Sequence, residues 1–239
     1  MLAELGTVKY LLMLGLVGVM IAGCGAAAAP SQSVATTAMA DAIRYVALGD
    51  SYTIGTSVGT DERWPNQLVK AVGDRVPLEL VANLGVNGYT SGDLLRDEVP
   101  ELADLQPDFV TILIGVNDVV RGRPIDQYRT NVQQILGTVL DVVPRDHVVV
   151  VATPDYTRTP RGADYGDPAQ QRAEIAAFNA ALRDMATERG IAFVDITPVA
   201  DQAGEDSSLV ASDKLHPSGE QYRRWVELIA PVVEDLLAP

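Results

Sequence analysis

The segment RYVALGDS, residues 44–51, decides which fold this sequence predicts. Its first five residues form a short, mainly apolar strand candidate, and a glycine, an acid and a serine follow at once. The segment FVTILIGVND, residues 109–118, repeats the arrangement: an apolar run with Thr111 as its polar member leads into an asparagine and an acid. Runs this apolar are typical of strands that are buried on both faces of a parallel sheet.

Strand-like and helix-like segments alternate on either side of these two. Residues 125–143 carry apolar side chains at helical spacing before a proline. Asp167 predicts an N-cap for the following helix, and Ser218 with Gln221 predicts a capping box for the last one. The predicted strands are 44–48, 77–82, 109–114, 148–152 and 191–196, and the predicted helices are 64–72, 92–98, 125–143, 168–190 and 219–237.

Five strands separated by helices predict an α/β domain with a parallel sheet, right-handed crossovers and helices on both faces. In open sheets of this kind, ligands bind beyond the carboxyl ends of the strands. The segments that follow strands are therefore expected at one edge of the sheet, where the functional site should lie. They are Ser51, residues 83–88, Asn117 and the loop after Ala152.

The composition restricts the chemistry of that site. Of the 239 residues, 47% are hydrophobic, and 32 acidic residues against 18 basic ones give a formal net charge of −14. Such a surface repels polyanions, so we expect no nucleic-acid partner. One cysteine and two histidines provide neither a disulfide framework nor a Cys/His metal cluster. The G-x-G-x-x-G and G-x-x-x-x-G-K-[ST] motifs are missing as well, so we expect no metal and no cofactor.

The N-terminal segment is predicted to lie outside the folded domain. Residues 10–23 form an uncharged apolar run after a lysine, which is short for a membrane span and fits a secretory signal. Its end, Ile21 to Cys24, resembles the bacterial lipobox. This resemblance implies export, with acyl chains on Cys24 holding the protein on a bacterial membrane and facing the periplasm or the exterior. An ordinary cleaved signal and an uncleaved anchor are the alternatives. The predicted division is signal peptide 1–23, lipidated flexible tether 24–40 and domain 41–239.

A hydroxyl nucleophile with an imidazole base fits the chemistry that remains. Ser51 stands at a strand-to-helix turn, where a hydroxyl is exposed, although a serine there could also simply cap a helix. His147 starts a strand at the opposite edge of the sheet, which favours a structural or solvent-exposed role. His216 precedes a helix, and Asp213 is close enough in sequence to fix its tautomer and orientation.

An acyl-transfer site also needs hydrogen-bond donors for the negative charge that develops on the carbonyl oxygen. Gly88 can present a backbone N–H with no side chain in the way. Asn117 can present a carboxamide, and the backbone N–H of Ser51 would be a third donor. Each of these residues, taken alone, could simply belong to a turn.

Taken together, these residues resemble the SGNH (GDSL-type) hydrolase family, whose four sequence blocks contribute Ser, Gly, Asn and His in that order. The matching positions here are Ser51, Gly88, Asn117 and His216, with Asp213 completing an Asp-x-x-His element. The resemblance implies a three-layer α/β/α sandwich with a five-stranded parallel flavodoxin-like sheet. It also implies that Ser51, His216 and Asp213 are catalytic and that Ser51, Gly88 and Asn117 form the oxyanion hole.

The function implied by this resemblance is a serine hydrolase that cleaves carboxylic esters through an acyl-enzyme intermediate, an acyl or acetyl esterase acting in the cell envelope. A lysophospholipase or thioesterase of the same fold is one alternative, and a non-catalytic binding lipoprotein of the cell surface is another. We expect a monomer whose substrate is a small-molecule, glycan or lipid ester. Residues 153–167, which include two tyrosines and two arginines, either line the substrate pocket or form an exposed loop.

Overall fold

The computed structural model describes residues 42–238. The predicted signal peptide 1–23, the lipidation site Cys24 and the tether 24–40 lie outside the described residues, so these expectations stay predictions. Within the part of the chain that is described, no helix is both long enough and apolar enough to cross a membrane.

Five parallel strands form one sheet in the order β2-β1-β3-β4-β5. This is the flavodoxin-like order, in which the direction of strand addition reverses between β1 and β3. The predicted fold class is confirmed, and every residue of β3 and β4 is buried, as their apolar runs indicated. The strands are β1 (Ile43–Gly49), β2 (Leu78–Asn83), β3 (Phe109–Leu113), β4 (Val148–Val151) and β5 (Ala192–Val194).

Helices cover both faces of the sheet and form the two outer layers. The first long helix packs against the last one on one face, and the helices between them pack together on the other. Right-handed crossovers require this division for the observed strand order. The helices are α1 (Ser51–Ile54), α2 (Trp64–Val72), α3 (Ser91–Asp97), α4 (Leu102–Leu105), α5 (Val116–Val120), α6 (Ile125–Leu140), α7 (Pro168–Arg189), α8 (Thr197–Ala200) and α9 (Gly219–Leu237).

One long helix ends earlier than predicted, and one predicted capping box is only half formed. The helix predicted over 125–143 ends at Leu140, because a turn begins there in which the Val139 carbonyl accepts from two successive N–H groups. The capping box of α9 is half formed: Ser218 accepts from the backbone N–H of Gln221, whereas the Gln221 side chain donates to the Ala200 carbonyl instead. The cap therefore also ties α9 to α8.

β1 and β3 pair side by side at the centre of the sheet, from Tyr45 opposite Phe109 to Gly49 opposite Leu113. The Tyr45 hydroxyl on β1 and the Thr111 hydroxyl on β3 lie 2.7 Å apart and satisfy each other inside the core. Trp64 and Trp225 are fully buried in the core. The carboxyl ends of β1 and β3 are thus held side by side, at the point where the strand order reverses.

Candidate active site

Ser51 lies at the carboxyl end of β1, as the first residue of α1. Asp50 caps this helix, since its side chain accepts from the backbone N–H of Tyr52 at 3.0 Å. The alternative in which Ser51 is only a helix cap is therefore wrong. Gly49 makes the turn possible: its φ is +156°, and a side chain there would overlap that of Thr53.

His216 lies in a tight loop before α9. The loop is closed by an antiparallel bridge between Val210 and Pro217 and by a hydrogen bond from Ala211 N to the His216 carbonyl at 2.8 Å. On its other side the imidazole packs against the ring of Tyr52, with 5.6 Å between ring centroids. The loop and α1 together fix where the imidazole stands.

Asp213 holds the His216 ring from within the same loop. Its Oδ2 lies 2.6 Å from Nδ1 of His216, and its Oδ1 accepts from the backbone N–H groups of Leu215 and His216 at 2.9 and 3.0 Å. Burial alone would raise the pKa of Asp213, but the hydrogen bonds from His216, Leu215 and Ser57 hold that pKa well below its ordinary value. An ionised carboxylate can only accept, so Nδ1 donates and Nε2 is the nitrogen free to take up a proton.

Two backbone N–H groups are available as donors beside the serine. Gly88 has a left-handed backbone with φ +80°, and its carbonyl accepts from Arg121 Nη2 at 2.6 Å. In the described part of the chain, neither the N–H of Ser51 nor that of Gly88 donates to a protein acceptor. Both groups can therefore bind a carbonyl oxygen of a substrate.

Asn117 brings a side-chain donor from the beginning of α5, just after β3. Its Nδ2 donates to the Tyr89 carbonyl at 2.9 Å and lies 3.4 Å from Oδ2 of Asp50. The first bond fixes the carboxamide plane. The second is long, so that N–H remains able to turn toward a stronger acceptor.

One pocket of about 270 Å³ joins these residues. Ser51, Gly88, Asn117 and His216 line it, although they come from four distant parts of the sequence. None of its lining residues is an acid, a lysine or an arginine, and several are apolar or aromatic. The other lining residues are Tyr52, Thr56, Asn87, Val116, Val120, Tyr156, Tyr165 and Leu215.

The serine and the histidine share this pocket without a direct bond. Among residues 42–238, the side-chain hydrogen bond of His216 is the one to Asp213, and none joins it to Ser51. Bonds between a nucleophile and its base commonly tighten only when the substrate is in place. The arrangement thus provides a hydroxyl, an oriented imidazole and three donors around one cavity.

Three buried carboxyl groups lie behind the pocket. Burial, with a smaller contribution from the neighbouring charge of Asp118, raises the pKa of Asp50 to about 7. Burial also raises the pKa of Glu98, to about 9, although its Oε2 accepts from Gly49 N at 2.8 Å. Asp118 accepts from both the backbone N–H and the hydroxyl of Ser91, which links α5 to the start of α3.

Some of the residues that build the site were missed by the sequence reasoning. Glu98 ends a predicted helix, and no spacing in the sequence relates it to Gly49. Thr56 and Ser57 follow the GDS segment, but hydrogen bonds to residues far along the chain leave no periodic signal. Their proximity to Ser51 was the single hint available.

The segment 153–167 lines the pocket, which was one of its two expected roles. Tyr156 and Tyr165 contribute to the pocket wall and contact each other edge to face, with 5.9 Å between ring centroids. Its two arginines point away into ion pairs, Arg158 with Asp155 and Arg161 with Asp164. The segment therefore adds aromatic rather than charged surface.

His147 stands at the amino end of β4, away from the pocket. Its Nδ1 lies 2.7 Å from the Asp108 carbonyl, which fits the structural role expected of it. Over the described range, no group of three or more His, Cys, Asp and Glu side chains is arranged to hold a metal ion.

Comparison with known proteins assigns the chain to a family. The sequence model of the GDSL-like lipase/acylhydrolase family matches residues 47–224. The chain belongs to this family. The match includes Ser51, Gly88, Asn117, Asp213 and His216.

Relatives of this GDSL-like chain include an arylesterase of Vibrio mimicus, which is 30% identical over 41% of this chain and 49% of the relative. An acetylxylan esterase of Geobacillus stearothermophilus is 25% identical over 58% of this chain and 64% of the relative. The chain thus matches between about half and two thirds of the length of these curated relatives.

A solved structure, a member of the lipolytic protein G-D-S-L family from Veillonella parvula, superimposes with a TM-score of 0.65 at 16% identity. The superposition covers 80% of this chain and 98% of that one. At this identity the likeness concerns the fold.

Proposed function

We propose that this GDSL-like chain is a serine esterase that hydrolyses carboxylic esters of short acyl groups. The observation that carries the proposal is the single pocket shared by Ser51, the Asp213-oriented His216 and the oxyanion donors Gly88 and Asn117. Family membership supports an acylhydrolase, and the esterase relatives support the ester as the bond cleaved.

The proposed reaction proceeds in two steps. His216 Nε2 takes the proton of the Ser51 hydroxyl while the serine oxygen attacks the acyl carbon. The oxyanion is bound by the N–H groups of Ser51 and Gly88 and by Asn117, whose long bond to Asp50 gives way to the charged acceptor. His216 then returns the proton to the leaving alcohol.

The second step removes the acyl group from the serine. His216 takes a proton from a water molecule, whose oxygen attacks the acyl-Ser51 ester, and returns the proton to the serine oxygen as the carboxylic acid leaves. Asp213 stays ionised throughout and stabilises the imidazolium, in keeping with its lowered pKa.

A short acyl group is favoured by the size of the pocket. Its volume of about 270 Å³ is below the roughly 300–1,000 Å³ of pockets that enclose drug-sized ligands. Val116 and Val120 flank Asn117, so apolar side chains adjoin the oxyanion position where the acyl group must lie. This is the observation that favours an acyl or acetyl esterase over the alternative of a lysophospholipase or thioesterase.

The test is hydrolysis of p-nitrophenyl esters from acetate to palmitate by the purified protein. We expect the highest kcat/KM for acetate or butyrate. Ser51→Ala and His216→Gln should each lower the rate by several orders of magnitude, whereas the matched control His147→Gln should leave it unchanged. Equal rates for Ser51→Ala and the unaltered protein would contradict a serine nucleophile, and a maximum at palmitate would favour the lipid-cleaving alternative.

If the remaining alternative, a non-catalytic binding lipoprotein, is correct, the Ser51 hydroxyl is not activated by a base. A fluorophosphonate probe reacts with serines whose hydroxyl is activated by a base. Labelling of Ser51 that is lost in His216→Gln supports the esterase. Absence of labelling in the unaltered protein would support a binding role instead.

We also propose that the protein is exported and lipid-anchored through Cys24. The lipobox-like residues Ile21 to Cys24 after an uncharged apolar run support this. Incorporation of labelled palmitate in a bacterial host, and its loss in Cys24→Ala, is the expected result. An unlabelled protein that is nonetheless secreted would indicate an ordinary cleaved signal.

A further inference from the structure

The turn after α1 carries two neighbouring hydroxyl side chains, Thr56 and Ser57. The backbone N–H groups of Gly55 and Thr56 both donate to the Ser51 carbonyl, at 3.1 and 3.0 Å, so the turn folds back onto the nucleophile's own backbone. Gly55 and Ser57 are both left-handed, with φ +71° and +68°. A serine in this region is uncommon and strained, and it persists where its surroundings hold it.

Ser57 is held by the acid of the proposed catalytic set. Its hydroxyl donates to Asp213 Oδ2 at 2.7 Å, across 156 residues of sequence. The same oxygen faces Nδ1 of His216 at 2.6 Å. One carboxylate oxygen is therefore shared by two donors, and the position of Asp213 depends on both.

Thr56 is held by the loop of the proposed oxyanion hole. Its hydroxyl donates to Oδ1 of Asn87 at 2.5 Å. Asn87 directly precedes Gly88, so the peptide group between them carries the Gly88 N–H, which donates to no protein acceptor within residues 42–238. Thr56 and Asn87 both line the pocket.

We infer that Thr56 and Ser57 are positioning residues, which set the oxyanion loop and the acid–base loop relative to Ser51. This inference rests on the proposed serine esterase function. Each hydroxyl acts through a different partner, Thr56 through Gly88 and Ser57 through Asp213. Loss of the Ser57 hydroxyl should therefore affect the acid–base pair, whereas loss of the Thr56 hydroxyl should affect binding of the oxyanion.

Loss of the Ser57 hydroxyl increases the negative charge that the Asp213 carboxylate presents to the His216 imidazole. A donor on Oδ2 draws negative charge away from the imidazole, so its removal leaves a carboxylate that binds the imidazolium more strongly. The acidic limb of the kcat/KM profile then moves to higher pH. Loss of the Thr56 hydroxyl frees the Gly88 peptide to reorient, which weakens oxyanion binding without touching the acid–base pair.

Other groups around the acid–base pair are unchanged by either substitution. Tyr52 of α1 packs against the imidazole. The charge of Asp213 acts on the Arg161 guanidinium, from the segment 153–167, and burial together with Asp50 and Asp213 raises the pKa of the Tyr222 hydroxyl, on α9, so that it stays neutral. Burial and the charge of Asp50 raise the pKa of the Tyr52 hydroxyl. A shift of the acidic limb in a Ser57 variant therefore reports the lost hydroxyl.

The experiment compares four variants by pH-dependent hydrolysis of p-nitrophenyl acetate. Ser57→Ala keeps the strained backbone and removes the hydroxyl, whereas Ser57→Gly removes both. We expect both to lower kcat/KM at pH 6 by roughly 3- to 10-fold, with the acidic limb moved to higher pH. We expect Thr56→Val to lower kcat by a similar factor while the acidic limb of its pH profile stays at the same pH as in the unaltered protein. Thr56→Ser, which keeps the hydroxyl, should restore kcat.

Acidic limbs that stay in place in both Ser57 variants would overturn the inference for Ser57. A Thr56→Ser variant as impaired as Thr56→Val would overturn it for Thr56. A failure of the proposed function is distinguishable, because it would appear as equal rates for the unaltered protein and Ser51→Ala.

Proton NMR tests the positioning roles of Thr56 and Ser57 without measuring catalytic activity. The proton between His216 Nδ1 and Asp213 should move downfield in Ser57→Ala, and the Gly88 amide resonance should shift in Thr56→Val. Unmoved resonances would overturn the inference even in a protein with no esterase activity.

Discussion

At the scale of single residues, Gly88 shows how a backbone conformation serves the proposed chemistry. Gly88 lines the pocket with a left-handed backbone (φ +80°); Arg121 Nη2 binds its carbonyl, and its N–H donates to no protein acceptor among residues 42–238. A Cβ at Gly88 would meet Arg121 Nη2 at 3.5 Å, which is an ordinary contact. The need for glycine is therefore conformational and not steric.

We accordingly expect Gly88→Ala to lower the free energy of unfolding by ~1–2 kcal/mol and kcat/KM by at least ~10-fold. Gly122→Ala is the matched control, since Gly122 is also left-handed with φ +60° and has nothing near its Cβ position. It should cost the same stability and leave the rate unchanged. Denaturant melts and p-nitrophenyl acetate kinetics measure both. An equal loss of rate in the two variants would mean that stability alone controls activity.

At the scale of elements, the start of α9 is linked to the loop that carries His216. The Ser218 hydroxyl accepts from Gln221 N at 3.3 Å and donates to the Ser208 carbonyl at 2.7 Å. The backbone N–H of Ser218 donates to the Leu209 carbonyl. The helix cap thus also closes the loop between residues 209 and 218.

Ser218→Ala should therefore cost ~1 kcal/mol of stability, as the loss of a serine cap does, and lower kcat as well. Gly190→Ala serves as the control, because it strains the left-handed C-cap of α7 (φ +67°) at the amino edge of the sheet, where His147 also lies. It should cost a similar amount of stability with kcat unchanged. If Ser218→Ala kept full kcat, the cap would be independent of the acid–base loop.

Elements with a strong periodic pattern were the ones that the sequence predicted well. Every residue of β3 and β4 is buried, as their continuous apolar runs predicted. α1 and α5 were not predicted, because four or five residues are too few to show helical spacing. These short helices begin with the turns that carry Ser51 and Asn117, so the place of these residues after the strands was predicted and the geometry of the turns was not. The hydrogen bond between Ser57 and Asp213 depends on a left-handed turn that a serine gives no reason to expect.

At the scale of the whole molecule, a buried acid should make the stability fall with rising pH. Burial raises the pKa of Glu98 from an ordinary 4.5 to about 9, and its Oε1 has no partner within residues 42–238. Between these two pH values the folded protein holds a proton that the unfolded chain releases. The contribution of Glu98 is therefore fully present below pH 4.5 and is lost as the pH rises toward 9.

We expect Glu98→Gln, which is neutral at every pH, to be more stable than the unaltered protein at pH 8 by on the order of a few kcal/mol and to show a flatter pH dependence. Calorimetric melts between pH 5 and pH 8.5 measure this. Glu101→Gln, at an exposed position shortly afterwards, is the control and should reproduce the original slope. Parallel slopes in all three proteins would mean that Glu98 is ionised in the fold.

The sheet order has a consequence for the timing of synthesis. Ser51 follows β1, the first strand of the described domain, whereas Asp213 and His216 come after β5, the last one. A ribosome finishes the serine long before it makes the base, and every incomplete product carries an unactivated hydroxyl. During synthesis, the proposed esterase activity can therefore begin only after the segment that carries Asp213 and His216 has been made and has docked beside Ser51.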